Sequence, residues 1–146
     1  MSVEPLVART RAAQTTLDVW SKRPMKLGTA DCVRMVAAHL RLLGYKVKLP
    51  PSGSYRTVNS AFKTLKTAGY ETVADALDAM GLERIAPASA IVGDIVMTPA
   101  AHELGSFGVV LSNGRIVSFH EHADCAVVLQ PFEYSGAWRA NPRDTR

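Results

Sequence analysis

The sequence has only two cysteines, Cys32 and Cys125, among its 146 residues. Two are too few for a disulfide framework, and free thiols in a reducing compartment are the expected state. No apolar run approaches the roughly 18 residues that a membrane-spanning helix needs. The N-terminus also lacks the continuous apolar stretch of a secretory signal. We therefore expect no disulfide-stapled domain, no membrane span and no signal peptide.

The charge pattern does not indicate one particular partner. The chain carries 17 lysines and arginines against 13 acidic residues, a formal net charge of +4. These basic residues are spread thinly, no nucleic-acid motif is present, and the few aromatic residues form no platform between the charges. We therefore expect no nucleic-acid partner. A mild attraction to an anionic polymer or protein stays open, beside the simpler interpretation of a solvated basic face.

The first half of the chain reads as helical. Hydrophobic residues make up 47% of the sequence, which is enough for one core, and no linker, repeat or low-complexity tract divides it. Apolar residues recur at helical spacing in four stretches, and capping residues mark their ends. The pairs of boundary residues are Pro5 and Pro24, Thr29 and Gly44, Thr57 and Gly69, and Thr72 and Gly81. Residues 45–49 alternate like a short strand or an extended arm.

From residue 91 onward the hydrophobic period changes from 3.6 to 2. Strands are predicted within 91–97, 107–111, 115–119, 126–129 and 137–139. Asn113-Gly114 predicts a type I′ hairpin turn, which requires positive φ at both residues. Helices followed by antiparallel strands are typical of the α+β class. We predict one domain, 1–146, with a leading helix and connection (1–27), a helical part (28–82) and an antiparallel sheet meander (90–140).

Cys32 is the candidate nucleophile. With Thr29 as N-cap, Cys32 falls in the first turn of the second helix, where unpaired N–H groups and the helix dipole favour a thiolate. An alternative stays open, because a lone cysteine on a helix is more often a small buried hydrophobe. Asp31 is either an acid that caps or opens the helix, or a partner of a catalytic base.

Several short motifs share an order that resembles a known family. Asp31-Cys32 opening an apolar helix, Gly93–Val96 opening the first strand and Phe107–Ile116 crossing a hairpin resemble the NlpC-like cysteine peptidases, of the papain-like superfamily. More closely, the chain resembles a phage and prophage branch that is associated with tail genes. Three further motifs carry that likeness: Tyr55-Arg56-Thr57, Ala68-Gly69-Tyr70 and Ala137-Trp138-Arg139. The resemblance covers roughly residues 15–140.

The resemblance implies a papain-like fold, with N-terminal helices packed on an antiparallel sheet, and a degraded catalytic site. Active members have His-Val-Gly-Ile where this sequence has Ser106-Phe107-Gly108-Val109, so Ser106 occupies the position of the general base. The family's orienting residue, usually a second histidine, falls at Ser118. A serine hydroxyl cannot accept a proton near neutral pH, so neither serine replaces imidazole in activating Cys32.

Other histidines are candidate substitutes for the missing base. His102 lies four residues before Ser106, in a loop that can fold back. His120 shares strand parity with Ser118 but lies one repeat, or about 7 Å, further along. His39 is two turns along the Cys32 helix, which is too far.

The stretch His120-Glu121-His122 raises a metal alternative. With Asp124 or Cys125 it resembles a zinc site, but no third ligand stands at a fixed spacing. A solvated loop is the preferred interpretation, and we expect neither a metal nor a cofactor.

Three functions fit these observations, and whether the protein is an enzyme stays open. The first is a structural or assembly protein of a phage tail, with tail-tip or baseplate proteins as partners, in the virion tail or in the host cytoplasm during assembly. The second is an active endopeptidase that cuts peptidoglycan stem peptides through a Cys32 thiolate, a histidine base and an oxyanion hole at the helix N-terminus. The third is a non-catalytic module that binds wall peptide. Ser106 and Ser118 favour the first and third, whereas Cys32 keeps the second open.

Overall fold

The chain folds as four helices followed by a sheet, in a computed structural model that describes residues 4–99, 106–119 and 124–143. Within these residues the helices are α1 (Pro5–Trp20), α2 (Cys32–Leu42), α3 (Val58–Thr67) and α4 (Val73–Ala79). The strands are β1 (Glu83–Arg84), β2 (Ile95–Thr98), β3 (Ser106–Val110), β4 (Ile116–Phe119), β5 (Ala126–Leu129) and β6 (Gly136–Arg139). A short 3₁₀ helix, Pro87–Ser89, lies between β1 and β2. This arrangement confirms the predicted α+β class.

The strands form one antiparallel sheet in the order β1-β6-β2-β3-β4-β5. Strands β2 to β5 are consecutive neighbours, as in a meander, whereas β6 returns to lie between β1 and β2. All five predicted strands are present, with small shifts at their ends. Strand β1 was not predicted, because two residues are too few to show a period of 2.

Helices α1 and α2 pack on one face of this sheet. The buried residues that join them to it include Trp20, Met35, Val36, Leu40, Phe107, Val109 and Val117. A smaller cluster covers the opposite face and consists of Val96, Val110, Ile116 and Ala137. Because side chains alternate between the two faces of a strand, Phe107 points towards α2, whereas its neighbours Ser106 and Gly108 lie on the far face.

The N-cap of α2 is Asp31, so the prediction of Thr29 was wrong by two residues. Asp31 has an extended backbone, and its carboxylate accepts a hydrogen bond from the Arg34 N–H at 2.9 Å. Thr29 instead belongs to a separate tight turn, in which its N–H donates to the Lys26 carbonyl at 3.0 Å. Cys32 is therefore the first residue of the helix.

The other helix ends match the predicted capping residues. Thr57 and Thr72 cap α3 and α4, and each takes part in a capping box with the residue three positions on. Gly44, Gly69 and Gly81 have positive φ and directly follow the C-cap residues of α2, α3 and α4, where a left-handed residue ends a helix.

The predicted type I′ turn at Asn113-Gly114 was wrong. Only Gly114 has a positive φ, +81°, and no non-glycine residue in the described part of the chain does. The Gly114 N–H donates to the Leu111 carbonyl at 3.0 Å, and the Leu111 N–H donates to the Arg115 carbonyl at 2.8 Å. These bonds make a three-residue loop with glycine in the left-handed position. The Asn113 side chain stabilises this loop by accepting from the Arg115 N–H at 3.0 Å.

Residues 45–49 form an extended arm and no strand, which decides between the two predicted alternatives. The Arg143 guanidinium lies 4.2 Å from the centre of the Tyr45 ring, and the Arg143 N–H donates to the Leu43 carbonyl at 2.7 Å. The segment after β6 is thereby tied to the start of the arm. None of the helices within the described residues has both the length and the apolar character to cross a bilayer.

Candidate active site

Asp31 is a fully bonded carboxylate beneath the start of α2. Its side chain is 2% exposed. One carboxylate oxygen caps the helix at the Arg34 N–H, and the other accepts from the Gly28 N–H and the Tyr55 hydroxyl, both at 2.9 Å. A Cβ at Gly28, which has φ +92°, would lie 1.8 Å from the Tyr55 carbonyl oxygen, so only glycine fits there. Asp31 thus holds the turn before Cys32 and is not free to orient a base.

The Cys32 thiol lies among backbone N–H groups but is held neutral. Burial raises its pKa to about 11, and the nearby charge of Asp31 acts in the same direction. Hydrogen bonding from the backbone N–H groups of Phe107, Cys32 and Val33 opposes this rise without cancelling it. At neutral pH the group is therefore a thiol, although the amides around it are suited to stabilising an anion.

Ser106 and Ser118 lie close to the same part of β3 as Cys32. Ser118 is 1% exposed, and its hydroxyl donates to the Phe107 carbonyl at 2.8 Å. Ser106 opens β3, is half-buried and pairs with Thr98. The β3–β4 ladder begins at Gly108, opposite Ser118, so the preceding Phe107 N–H is outside that ladder, and it favours the thiolate form of Cys32. Ser106 and Ser118 therefore flank Phe107 from the face of the sheet away from α2, whereas Cys32 lies on the α2 side.

His39 does not belong to this site. Its Nε2 donates to the Gly93 carbonyl at 2.8 Å, and its Nδ1 lies 3.0 Å from the Thr16 hydroxyl, which itself donates to the Ala12 carbonyl at 2.8 Å. The residue is fully buried, and this burial lowers the pKa of its imidazole. Both ring nitrogens are used in joining α1, α2 and the turn before β2.

The two predicted substitute bases, His102 and His120, lie outside the described residues, in 100–105 and 120–123. The strand ends that flank these stretches are paired at the Cys32 end of the sheet: Thr98 with Ser106, and Phe119 with Ala126. The His120-Glu121-His122 zinc pattern also lies outside. Within the described part of the chain, no three His, Cys, Asp or Glu residues are grouped closely enough to hold a metal ion.

An apolar cleft opens beside Cys32, between α2 and the two helices that follow. A space of about 170 Å³ next to Cys32 adjoins a second of about 450 Å³. Residues that line both spaces define what we call the helical groove: Val33, Lys48, Leu49, Ala68, Tyr70, Val73 and Ala76. A peptidase cleft needs an open surface of this kind beside its nucleophile, and a binding module needs the surface alone.

Sequence reasoning missed a buried ion pair behind the site. Asp94, interpreted as a turn residue, does accept from the Ile91 N–H at 2.9 Å, but it also pairs with Arg9 at 2.8 Å. Both side chains are almost fully buried. A signal was present, because Arg9 lies four residues before the apolar Ala13 on the core face of α1, where a charge needs a partner.

From the sequence, Tyr55 was identified only as part of the Tyr55-Arg56-Thr57 motif, and its contact with Asp31 was not predicted. The hydroxyl is removed from solvent, and burial together with the Asp31 charge raises its pKa above the ordinary value. No local pattern indicates this contact, since the two residues are 24 positions apart.

In sequence comparison, a family model described as a domain of unknown function, DUF6950, matches residues 6–140. No curated protein matches the chain. The matched range runs from the first turn of α1 to the residue after β6, so it includes Cys32, the groove and the buried ion pair.

Proposed function

This chain belongs to the DUF6950 family, and we propose that it is a structural protein of a phage tail tip with an NlpC-like peptidase fold and a degraded catalytic site. The observation that supports the proposed loss of catalysis is the protonation state of the Cys32 thiol. Its thiol has a pKa of about 11, so only a trace is ionised at neutral pH. The Ser118 hydroxyl, at the position of a family histidine, donates to the Phe107 carbonyl instead.

The tail assignment rests on the order of the sequence motifs. Two of them have structural roles that do not require catalysis: Tyr55 supports the cap of α2, and Trp138 packs in the core between β1 and β2. A fold that keeps such supports without an activated thiol suits an assembly role. The expected partners are other tail-tip or baseplate proteins, in the virion tail or in the host cytoplasm during assembly.

Two assays with the same preparations test this function. Purified protein mixed with the proteins of neighbouring tail genes is expected to co-elute with at least one of them, and Cys32→Ala is expected to co-elute equally well. The same protein incubated with peptidoglycan is expected to release no fragments. Fragment release that Cys32→Ala abolishes and Cys125→Ala retains would overturn the degraded-site proposal. Failure to associate with any tail protein would overturn the assembly role.

An active endopeptidase is the second candidate. The specific observation in its favour is that the backbone N–H groups of Phe107, Cys32 and Val33 lower the pKa of the Cys32 thiol against the effect of burial, because such groups stabilise a thiolate or an oxyanion. His102 or His120 would be the base in that case. A module that binds wall peptide is the third candidate, favoured by the open cleft beside Cys32; it would bind peptidoglycan fragments without cutting them.

A further inference from the structure

The helical groove has an interior that suits a hydrocarbon chain better than a peptide. Its shared walls are mostly apolar, with Val33, Leu49 and Val73 among them. The polar groups at its Cys32 end, Asp31 and Tyr55, bond to each other. A peptide bound against these walls would meet few hydrogen-bonding partners for its backbone N–H and C=O groups, whereas a hydrocarbon needs none.

The rim of the groove adds a preference for negative charge. Lys48 lines both spaces, Lys46 lines the larger one, and both residues are exposed on the extended arm. The acidic residue that lines the groove, Asp31, is buried and bonded on both oxygens. An anionic group at the mouth therefore meets two lysines and no free carboxylate among the described lining residues.

We propose that the helical groove binds a single-chain carboxylate of the fatty-acid class, with its hydrocarbon chain against Val33, Val73 and Ala76 and its carboxylate at Lys46 and Lys48. This ligand goes beyond the proposed tail function and does not depend on it. The hydrocarbon chain of the ligand binds without a covalent bond, so Cys32 does not react with it.

A calorimetric series with octanoate, decanoate and dodecanoate, each below its micelle concentration, tests whether the groove binds the hydrocarbon chain of the ligand. Each methylene buried in the groove is expected to strengthen binding about fourfold. Dodecyltrimethylammonium, with the same chain and a cationic head, is expected to bind at least about tenfold more weakly, because two lysines repel it. Ala76→Leu, which fills the groove, is expected to weaken dodecanoate binding about tenfold, with its thermal unfolding followed to show that it folds.

Matched charge reversals test the head group. Lys48→Glu is expected to weaken dodecanoate binding about tenfold, whereas Lys22→Glu, an equal change at a residue that lines neither space, is expected to leave the affinity unchanged. Equal effects of the two reversals would overturn the proposal. So would an absence of saturable dodecanoate binding, equal affinity for the cationic amphiphile, or undiminished binding by a folded Ala76→Leu. Saturable binding of an acidic peptide by protein that ignores dodecanoate would overturn it in favour of a peptide groove.

Discussion

The Ser118 hydroxyl donates a hydrogen bond to the Phe107 carbonyl at 2.8 Å, across the open end of the β3–β4 ladder. The backbone N–H of the same Phe107 favours the Cys32 thiolate. One residue of β3 therefore affects the candidate nucleophile and bonds to the residue that stands at the position of a family histidine. The polar groups around Cys32 make structural hydrogen bonds. The predicted reactivity of its thiol follows from this arrangement.

The first prediction concerns alkylation of Cys32. Because the pKa of this thiol is raised to about 11, the thiolate is roughly one part in ten thousand at pH 7 and increases tenfold with each pH unit. In a Cys125→Ser background, the rate of reaction with iodoacetamide is expected to rise continuously from pH 7 to 10. Cys32→Ser in the same background is the blank. A rate that levels off below pH 8 would show a thiol activated by a base.

The second prediction concerns the Asp31 cap. Asp31→Ala removes the helix cap and leaves the Gly28 N–H and the Tyr55 hydroxyl without their acceptor. We expect a loss of about 2–4 kcal/mol in the free energy of unfolding, measured in urea. Thr57→Ala removes an exposed cap with no such buried partners and is expected to cost about 1 kcal/mol. Equal losses would mean that the buried contacts of Asp31 contribute nothing.

Local features of the fold could be read from the sequence, whereas their tertiary partners could not. Gly44 at the end of α2 and the capping box at Thr72 depend on residues within a few positions, so the local sequence is enough to locate them. Thr29 and Asp31 both have side chains that cap a helix, and the choice between them depends on the separate turn at Lys26 and on Tyr55. That information is not local.

The same distinction between local features and tertiary partners applies to the candidate site. The position of Cys32 at a helix start follows from the apolar period after it, and the structure places it there. Its raised pKa depends on burial by chain segments distant in sequence, such as β3. The pairing of Arg9 with Asp94 joins residues 85 positions apart. A charge on an apolar helix face predicts that a partner exists but does not identify it.

The third prediction concerns that buried pair. Arg9→Met leaves Asp94 as a buried charge whose remaining cation, among the described residues, is the partly exposed Arg139 at 3.5 Å. This change is expected to cost about 3–5 kcal/mol in urea unfolding. Arg9→Met combined with Asp94→Asn removes both charges and is expected to cost less than the two single changes added together. Arg84→Met, which breaks the exposed pair with Asp78, should cost less than about 1 kcal/mol. Strict additivity in the Arg9–Asp94 cycle would contradict the pairing.

The fourth prediction is a loss of stability in mild acid that depends on His39. Burial, and to a smaller extent the charge of Arg9, lowers the pKa of this imidazole in the folded state, against the opposing charge of Asp94. The stability that the protein keeps while His39 is neutral is complete above the unfolded-state pKa of about 6.5. It is lost as the pH falls below that value, because the unfolded chain then binds the proton more readily than the folded one. One such group gives a slope of at most about 1.4 kcal/mol per pH unit.

Urea unfolding between pH 7 and pH 5 measures this slope. His39→Gln keeps an amide that can donate to the Gly93 carbonyl but does not titrate, so its stability should depend less on pH than that of the unaltered protein. His122→Gln removes one histidine elsewhere in the chain and serves as the matched control. If both variants reduce the slope equally, His39 is not the group responsible.

The last prediction restores a base at the position that the resemblance assigns to it. Ser106 is half-buried and directly precedes Phe107, whose backbone N–H favours the Cys32 thiolate. Strand alternation places Ser106 on the face away from α2, so if the resemblance is right, an imidazole here reaches the thiol around the end of β3, forms an ion pair with it and lowers its pKa. Ser106→His should therefore raise the iodoacetamide rate at pH 7, in the Cys125→Ser background, by about tenfold or more.

Two further histidine substitutions make this prediction specific to the position. Ser112→His, on the exposed hairpin loop, is expected to leave the rate unchanged because it is not next to Cys32. Ser118→His places a larger ring at a site that is 1% exposed and replaces the bond to the Phe107 carbonyl, so it should lower the free energy of unfolding by about 1–3 kcal/mol. A rate in Ser106→His no higher than in Ser112→His would show that residue 106 is not the position of a lost base, and would remove the main support for kinship with the peptidases.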